Sequence, residues 1–178
     1  NGTYSFTTPA ADVTVSATFA LQPVSVNYLD ENGVQHTVDA LPLLGGDATT
    51  LAAGSYVVNS DISYTGTVCL VGSGDVKLIL ADDHTMNVGT SENRIEYGIK
   101  TYNNDQTLTI YGQSTGNHMG ILSIYTSHYC IYPLALTING GHVIANADGN
   151  YATALRTTYQ TITINGGTVE ATATGTGA

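Results

Sequence analysis

The chain has little positive charge. Four of its 178 residues are basic, Lys77, Arg94, Lys100 and Arg156, against fourteen Asp and Glu, and the formal net charge is −10. A phosphate-binding surface needs clustered Lys and Arg, so nucleic acid and anionic membranes are poor candidates as partners, and no membrane insertion of this segment is expected. Charged residues of both signs make up only 10% of the chain. Its wet surface must therefore come from Thr, Ser, Asn and Gly. Tryptophan is absent, and the two cysteines, Cys69 and Cys130, are too few for a disulfide scaffold and are not spaced as zinc ligands. No apolar run approaches the ~18–20 residues of a membrane-spanning helix. No segment keeps a helical period, and Leu51-Ala52-Ala53 offers one turn at most. His36, His84, His118, His128 and His142 are scattered without ligand spacing. Asp82-Asp83 lacks the dense oxygen pattern of a calcium loop, so calcium is possible but has no motif, and no cofactor is expected.

What is present is a repeat. Leu136-Thr137-Ile138-Asn139-Gly140-Gly141-His142-Val143 returns as Ile162-Thr163-Ile164-Asn165-Gly166-Gly167-Thr168-Val169, and weaker copies precede it at Leu108-Thr109-Ile110 and Leu78-Ile79-Leu80. Short strands and Gly turns at a fixed period are the mark of a solenoid. The expected fold class is all-β: a right-handed single-stranded parallel β-helix with three strands per rung, about four rungs, and an N-terminal β-hairpin cap.

Alternation sorts the side chains, since every second one points inward. The first strand of each rung predicts two inward columns, Leu78, Leu108, Leu136, Ile162 and Leu80, Ile110, Ile138, Ile164, with Ile79, Thr109, Thr137 and Thr163 outward. The second strand predicts Met86, Leu122, Val143, Val169 and Val88, Ile124, Ala145, Ala171. The third predicts Ile99, Ile131, Leu155, with 68–70 one rung earlier still. Cys69 and Cys130 then lie two rungs apart, about 9.6 Å by strand spacing. That exceeds the roughly 4.4–6.8 Å between Cα atoms that a disulfide allows, so they are expected to be unbonded. Asn139 and Asn165 fall at one turn position in successive rungs and predict a side-chain amide ladder.

Three segments are expected. Residues 1–22 read as the closing strands of a preceding domain. Residues 23–66 form the cap and the lead into the coil, with a hairpin turning at Asp30-Glu31-Asn32-Gly33. Residues 67–178 form the coil. The start at Asn1-Gly2 and the stop inside a repeat read as a piece of a longer multidomain chain.

The run Tyr56-Val57-Val58-Asn59, then Gly74-Asp75-Val76-Lys77-Leu78-Ile79-Leu80, then Leu108-Thr109-Ile110-Tyr111-Gly112-Gln113 and two Ile-Asn-Gly-Gly units, resembles β-helical segments of large surface proteins from gut anaerobes. It is similar, more distantly, to clostridial β-helix proteins described as carbohydrate-binding. Residues 2–15 resemble the closing strands of internalin-type B repeats. The resemblance implies an extracellular place on a bacterial cell surface and an adhesive module.

The residues leave three functional readings open. Glycoside hydrolysis needs a carboxylate pair ~5–10 Å apart, and among the outward positions of the best-defined strands only Glu170 is acidic. A polysaccharide lyase or hydrolase fragment is thus the third reading, and no catalytic residue is assigned. The first is weak carbohydrate binding. Lys100, Tyr132 and Arg156 form an outward column in the third strand, with Tyr132 expected between the two cations and Tyr102 and Tyr125 nearby. Flat aromatic faces with hydrogen-bonding neighbours suit sugar rings. The overall negative charge favours neutral glycans over acidic ones, except where Lys100 and Arg156 offset the field. The second reading is a structural stalk without a ligand.

Overall fold

The structure is a computed structural model that describes residues 20–103 and 105–177. Nearly all of the segment 1–22, with the closing strands expected in it, lies outside the described residues. Among the described residues there are sixteen strands and no helix. In chain order they are β1 Val24–Leu29, β2 Gln35–Pro42, β3 Thr49–Leu51, β4 Gly54–Val58, β5 Ile62–Tyr64, β6 Val68–Leu70, β7 Gly74–Leu80 and β8 Thr85–Val88. There follow β9 Ile95–Thr101, β10 Gln106–Gly112, β11 Ile121–Tyr132, β12 Leu136–Ile138, β13 His142–Ala147, β14 Thr153–Leu155, β15 Ile162–Ile164 and β16 Thr168–Ala173.

The strands form two sheets. One has seven strands in the order β1-β2-β4-β7-β10-β12-β15. The other has nine, along the path β16-β13-β11-β9-β6-β3 with β5, β8 and β14 beside it. Only β1 and β2 pair antiparallel; the remaining strand pairs are parallel. The expected all-β class and parallel pairing are therefore present. The second-strand columns stand in the expected register, Met86–Leu122–Val143–Val169 and Val88–Ile124–Ala145–Ala171. So does Ile99–Ile131–Leu155, with Val68 ahead of it.

The first-strand columns need one correction. Leu108, Leu136 and Ile162 align, as do Ile110, Ile138 and Ile164. On β7, however, Leu108 faces Val76 and Ile110 faces Leu78, two residues from the expected partners. A two-residue slip leaves every side chain on its original face, so alternation cannot detect it. The outward threonine column is accordingly headed by Lys77, and Ile79 faces Tyr111.

Inward side chains of both sheets meet in one core. Leu78, Leu80, Leu108, Ile110, Leu136 and Ile138 from one sheet, and Met86, Val88, Leu122, Ile124, Val143 and Ala145 from the other, are each at most 1% exposed. Each such aliphatic side chain contributes roughly 1.5–3 kcal/mol before entropy is subtracted. At the last strands the covering ends, and Ile162 and Ile164 are 40% and 53% exposed.

A second, smaller core lies on the outer face of the seven-stranded sheet. Val57, Ile79 and Ala81 are buried there with Ala40 beneath Val24, Val26, Tyr28 and Val38 of the β1–β2 hairpin. Tyr28 packs on Tyr111 with ring centroids 4.5 Å apart, and Gln113 Nε2 donates to the Asn27 carbonyl at 3.0 Å. Ile79 thus points away from the main core, as its parity requires, yet the hairpin covers it completely. The hairpin turns where Asn32-Gly33 predicts. Gly33 takes φ 74°, and Asp30 Oδ1 accepts the N–H groups of Asn32 and Val34 at 2.9 and 2.8 Å.

Candidate functional site

Strands β9 and β11 break strict alternation together at one place, apart from the irregularity in β11 between Thr126 and Tyr129. Gly98 and Ile99 are both buried, and so are their neighbours across the ladder, Cys130 and Ile131. Gly98 is required here, because a Cβ would lie 2.4 Å from the Cys130 carbonyl oxygen. Two consecutive inward residues leave the positions on either side, Tyr97 with Lys100 and Tyr129 with Tyr132, on the same outer face. Cys130 has its thiol pushed up to about 11 by burial, so it is inert as a nucleophile. Both cysteines are free, as expected.

The outer face is an aromatic cluster. Tyr97 packs against Tyr129 at 5.7 Å between centroids, and His128 contacts both rings. Tyr129 meets Tyr132 edge to face at 5.1 Å, an arrangement that ring quadrupoles favour. Arg156 follows β14, and its backbone N–H donates to the Ile131 carbonyl at 2.9 Å. Its guanidinium carbon lies 4.9 Å from the Tyr129 centroid and 5.3 Å from that of Tyr132, and Nη1 donates to the Tyr129 hydroxyl at 3.0 Å. Lys100 faces Tyr132 across the ladder, but its Nζ sits over Tyr97, 3.9 Å from the centroid. Of the expected stack of Tyr132 between two cations, the Arg156 side is present and the Lys100 side is not: Lys100 rests on Tyr97, and Arg156 lies over both Tyr129 and Tyr132. A hydrogen bond with Glu96, aided by burial, holds the Tyr97 hydroxyl above its ordinary pKa.

Sequence reasoning placed Lys100, Tyr132 and Arg156 together and the structure does the same. It missed Tyr97, and the signal was the shared spacing of Tyr97-Gly98-Ile99-Lys100 and Tyr129-Cys130-Ile131-Tyr132. The other two expected residues stand apart. Tyr102 is 74% exposed and makes no ring contact with the cluster among the described residues; its N–H donates to the Leu70 carbonyl at 2.9 Å. Tyr125 precedes an irregularity in β11 between Thr126 and Tyr129. It lines a separate groove of about 210 Å³ with Asn146, Thr172, Thr174 and the Arg94–Asp148 ion pair, closed at 2.6 Å.

The asparagine ladder is present. Asn165 Nδ2 donates to Asn139 Oδ1 at 2.8 Å, while their N–H groups bond the carbonyls of Ile138 and Ile110. Gly167, beyond the second Asn-Gly, takes φ 80° and a Cβ there would meet the Gly141 oxygen at 2.4 Å. This close stacking of turns explains the repeated second glycine.

Several carboxylates are paired with imidazoles: Asp30 with His36, Asp83 with His118 and Glu170 with His142, at 2.8, 2.7 and 2.8 Å. Among the described residues no group of three or more His, Cys, Asp or Glu could hold a metal ion. No protein-family model matches the chain, and no match is found among curated proteins or solved structures.

Proposed function

We propose that the parallel ladders wind as a right-handed single-stranded β-helix, and that the chain is a non-catalytic module of a large extracellular bacterial surface protein that holds glycans weakly on its tyrosine face. The coil is supported by the pairing of each repeat with the previous one, Leu136 on Leu108 and Ile162 on Leu136. The hand follows from the strong right-handed bias of parallel crossovers. The observation that carries the glycan reading is the gathering of Tyr97, Tyr129 and Tyr132 with Lys100 and Arg156 on one outer face. Aromatic planes give a sugar ring its apolar contact, and the adjoining N–H and O–H groups give it hydrogen bonds. Each contact is small, so useful affinity comes from many copies on one surface.

Affinity electrophoresis of the chain and of Tyr132→Ala through neutral and acidic polysaccharides tests this. Retardation of the parent and loss in the variant support it. Equal retardation moves the site elsewhere, with the Tyr125 groove next. No retardation on any polymer leaves a structural stalk, in which the rings merely cover the coil.

A further inference from the structure

Two of the chain's four basic side chains, Lys100 and Arg156, lie on the tyrosine face. Neither enters an ion pair among the described residues, whereas Arg94 is bound to Asp148. Instead both cations rest on rings, which attract a cation without cancelling its charge. Arg156 is exposed and spends one N–H on the Tyr129 hydroxyl; a guanidinium has five in a planar fork suited to carboxylate or sulfate. Lys100 and Arg156 stand on either side of Tyr132 along the ladder, so their backbones are about 9.6 Å apart, two strand spacings. Glu96, hydrogen-bonded to Tyr97, weakens the positive field at the Lys100 end. Arg156 is then the better anion seat.

We infer that this face selects glycans bearing carboxylate or sulfate groups, with one anionic group seated on Arg156, a second held near Lys100, and the sugar ring between them against Tyr132. The inference rests on the glycan reading and narrows it. It also reverses the preference for neutral polymers that net charge alone suggests, because a ligand meets the local field of this face first.

The test uses three polymers with one backbone: hydroxyethyl cellulose, carboxymethyl cellulose and cellulose sulfate, in affinity gels at low and high salt. The charged polymers should retard the chain more than the neutral one, and added salt should remove the excess. The two charged gels distinguish carboxylate from sulfate as the preferred group. Arg156→Gln should weaken binding to the charged polymers by roughly tenfold, as loss of a charge-assisted hydrogen bond would, and weaken binding to the neutral polymer by a clearly smaller factor, as loss of an uncharged contact would. Lys100→Gln should do the same to a smaller degree. Equal retardation in all three gels, or full retention of charged binding by Arg156→Gln, overturns the inference and leaves the glycan reading standing. No retardation in these gels or in those used for Tyr132→Ala overturns both. Arg156 is exposed, so an unchanged circular dichroism spectrum and urea midpoint are expected of its variant.

Discussion

The outer face of the seven-stranded sheet is dressed in two ways. Toward the N-terminus its outward column runs Val57, Ile79, Tyr111, and the β1–β2 hairpin lies across it. Toward the C-terminus the same face carries Thr137, Thr163, Asn139 and Asn165, which stay out of the hairpin's apolar core; the hairpin's turn, residues 29–33, only lines a polar groove with the two asparagines. The inward columns beneath are alike in both halves. The inward pattern therefore sets the sheet, and the outward pattern decides what docks on it. Apolar outward residues recruit a cover. Thr and Asn bond water or one another and need none.

The largest effects belong to the shared inner columns. Ile138→Ala should cost roughly 2–5 kcal/mol, since neighbours above and below keep the cavity from collapsing. Thr137→Ala, one residue along and outward, should cost under about 1 kcal/mol. Urea melts check this, and equal losses would mean that the two faces are misassigned.

Ile79→Ala is the sharper test of the contrast between halves. Its side chain is fully buried although it points outward. The loss should be roughly 2–3 kcal/mol, the low end of the Ile→Ala range, because the hairpin can settle into part of the gap. Thr163→Ala, outward beyond the hairpin's apolar core, should fall within about 0.5 kcal/mol of the parent. A loss at Ile79 no larger than that at Thr163 would show that the hairpin is not closed on the sheet.

The asparagine ladder should give a smaller graded effect. Asn139 is 8% exposed, and its amide also meets the Tyr111 hydroxyl. Asn139→Ala empties a buried polar position and leaves the half-buried Tyr111 hydroxyl without this partner, so it should cost about 1–2 kcal/mol. Asn165 is the exposed end of the chain of amides, and Asn165→Ala should cost about 0.5–1 kcal/mol. Thermal unfolding of the two variants measures the difference. A larger loss at Asn165 would contradict the ladder's direction.

Much of this was legible in the sequence, and the limits have physical causes. The repeat set the later registers because a one-residue slip would put Leu136, Ile138 and Val143 in water. The β7 register was not legible, because Val76, Leu78 and Leu80 alternate identically under a shift of two. The fold-back of the hairpin was not legible either. Val57 and Ile79 are ordinary strand residues, and no local rule says that residues 24–38 will cover them. At the candidate site the column Lys100, Tyr132 and Arg156 followed from alternation. Tyr97 did not, because Gly98 and Ile99 turn inward together and break the period on which the reading depended. Tyr125 is near the column in sequence, but the irregularity after Thr126 separates them in the structure.

The smallest expected effect is the pH dependence contributed by the hairpin turn. The hydrogen bond with His36, then those from the Val34 and Asn32 N–H groups, hold the Asp30 carboxyl below its ordinary pKa. A group with a lowered folded-state pKa binds protons less readily folded than unfolded. Its contribution is therefore complete above the unfolded value of about 3.9 and is lost as pH falls through the folded value. Asn139 and Asn165, beyond the hairpin's apolar core, do not titrate. Other carboxylates will also lose stabilisation in acid, so the informative quantity is a difference. Asp30→Asn keeps the shape of the turn and removes the titration. The gap in urea midpoint between parent and Asp30→Asn should be constant above about pH 5 and should close below about pH 4. The gap between parent and Asn165→Ala should hold steady over the same range. If the Asp30 gap also stays level down to about pH 2, the carboxylate does not hold the hairpin turn in solution.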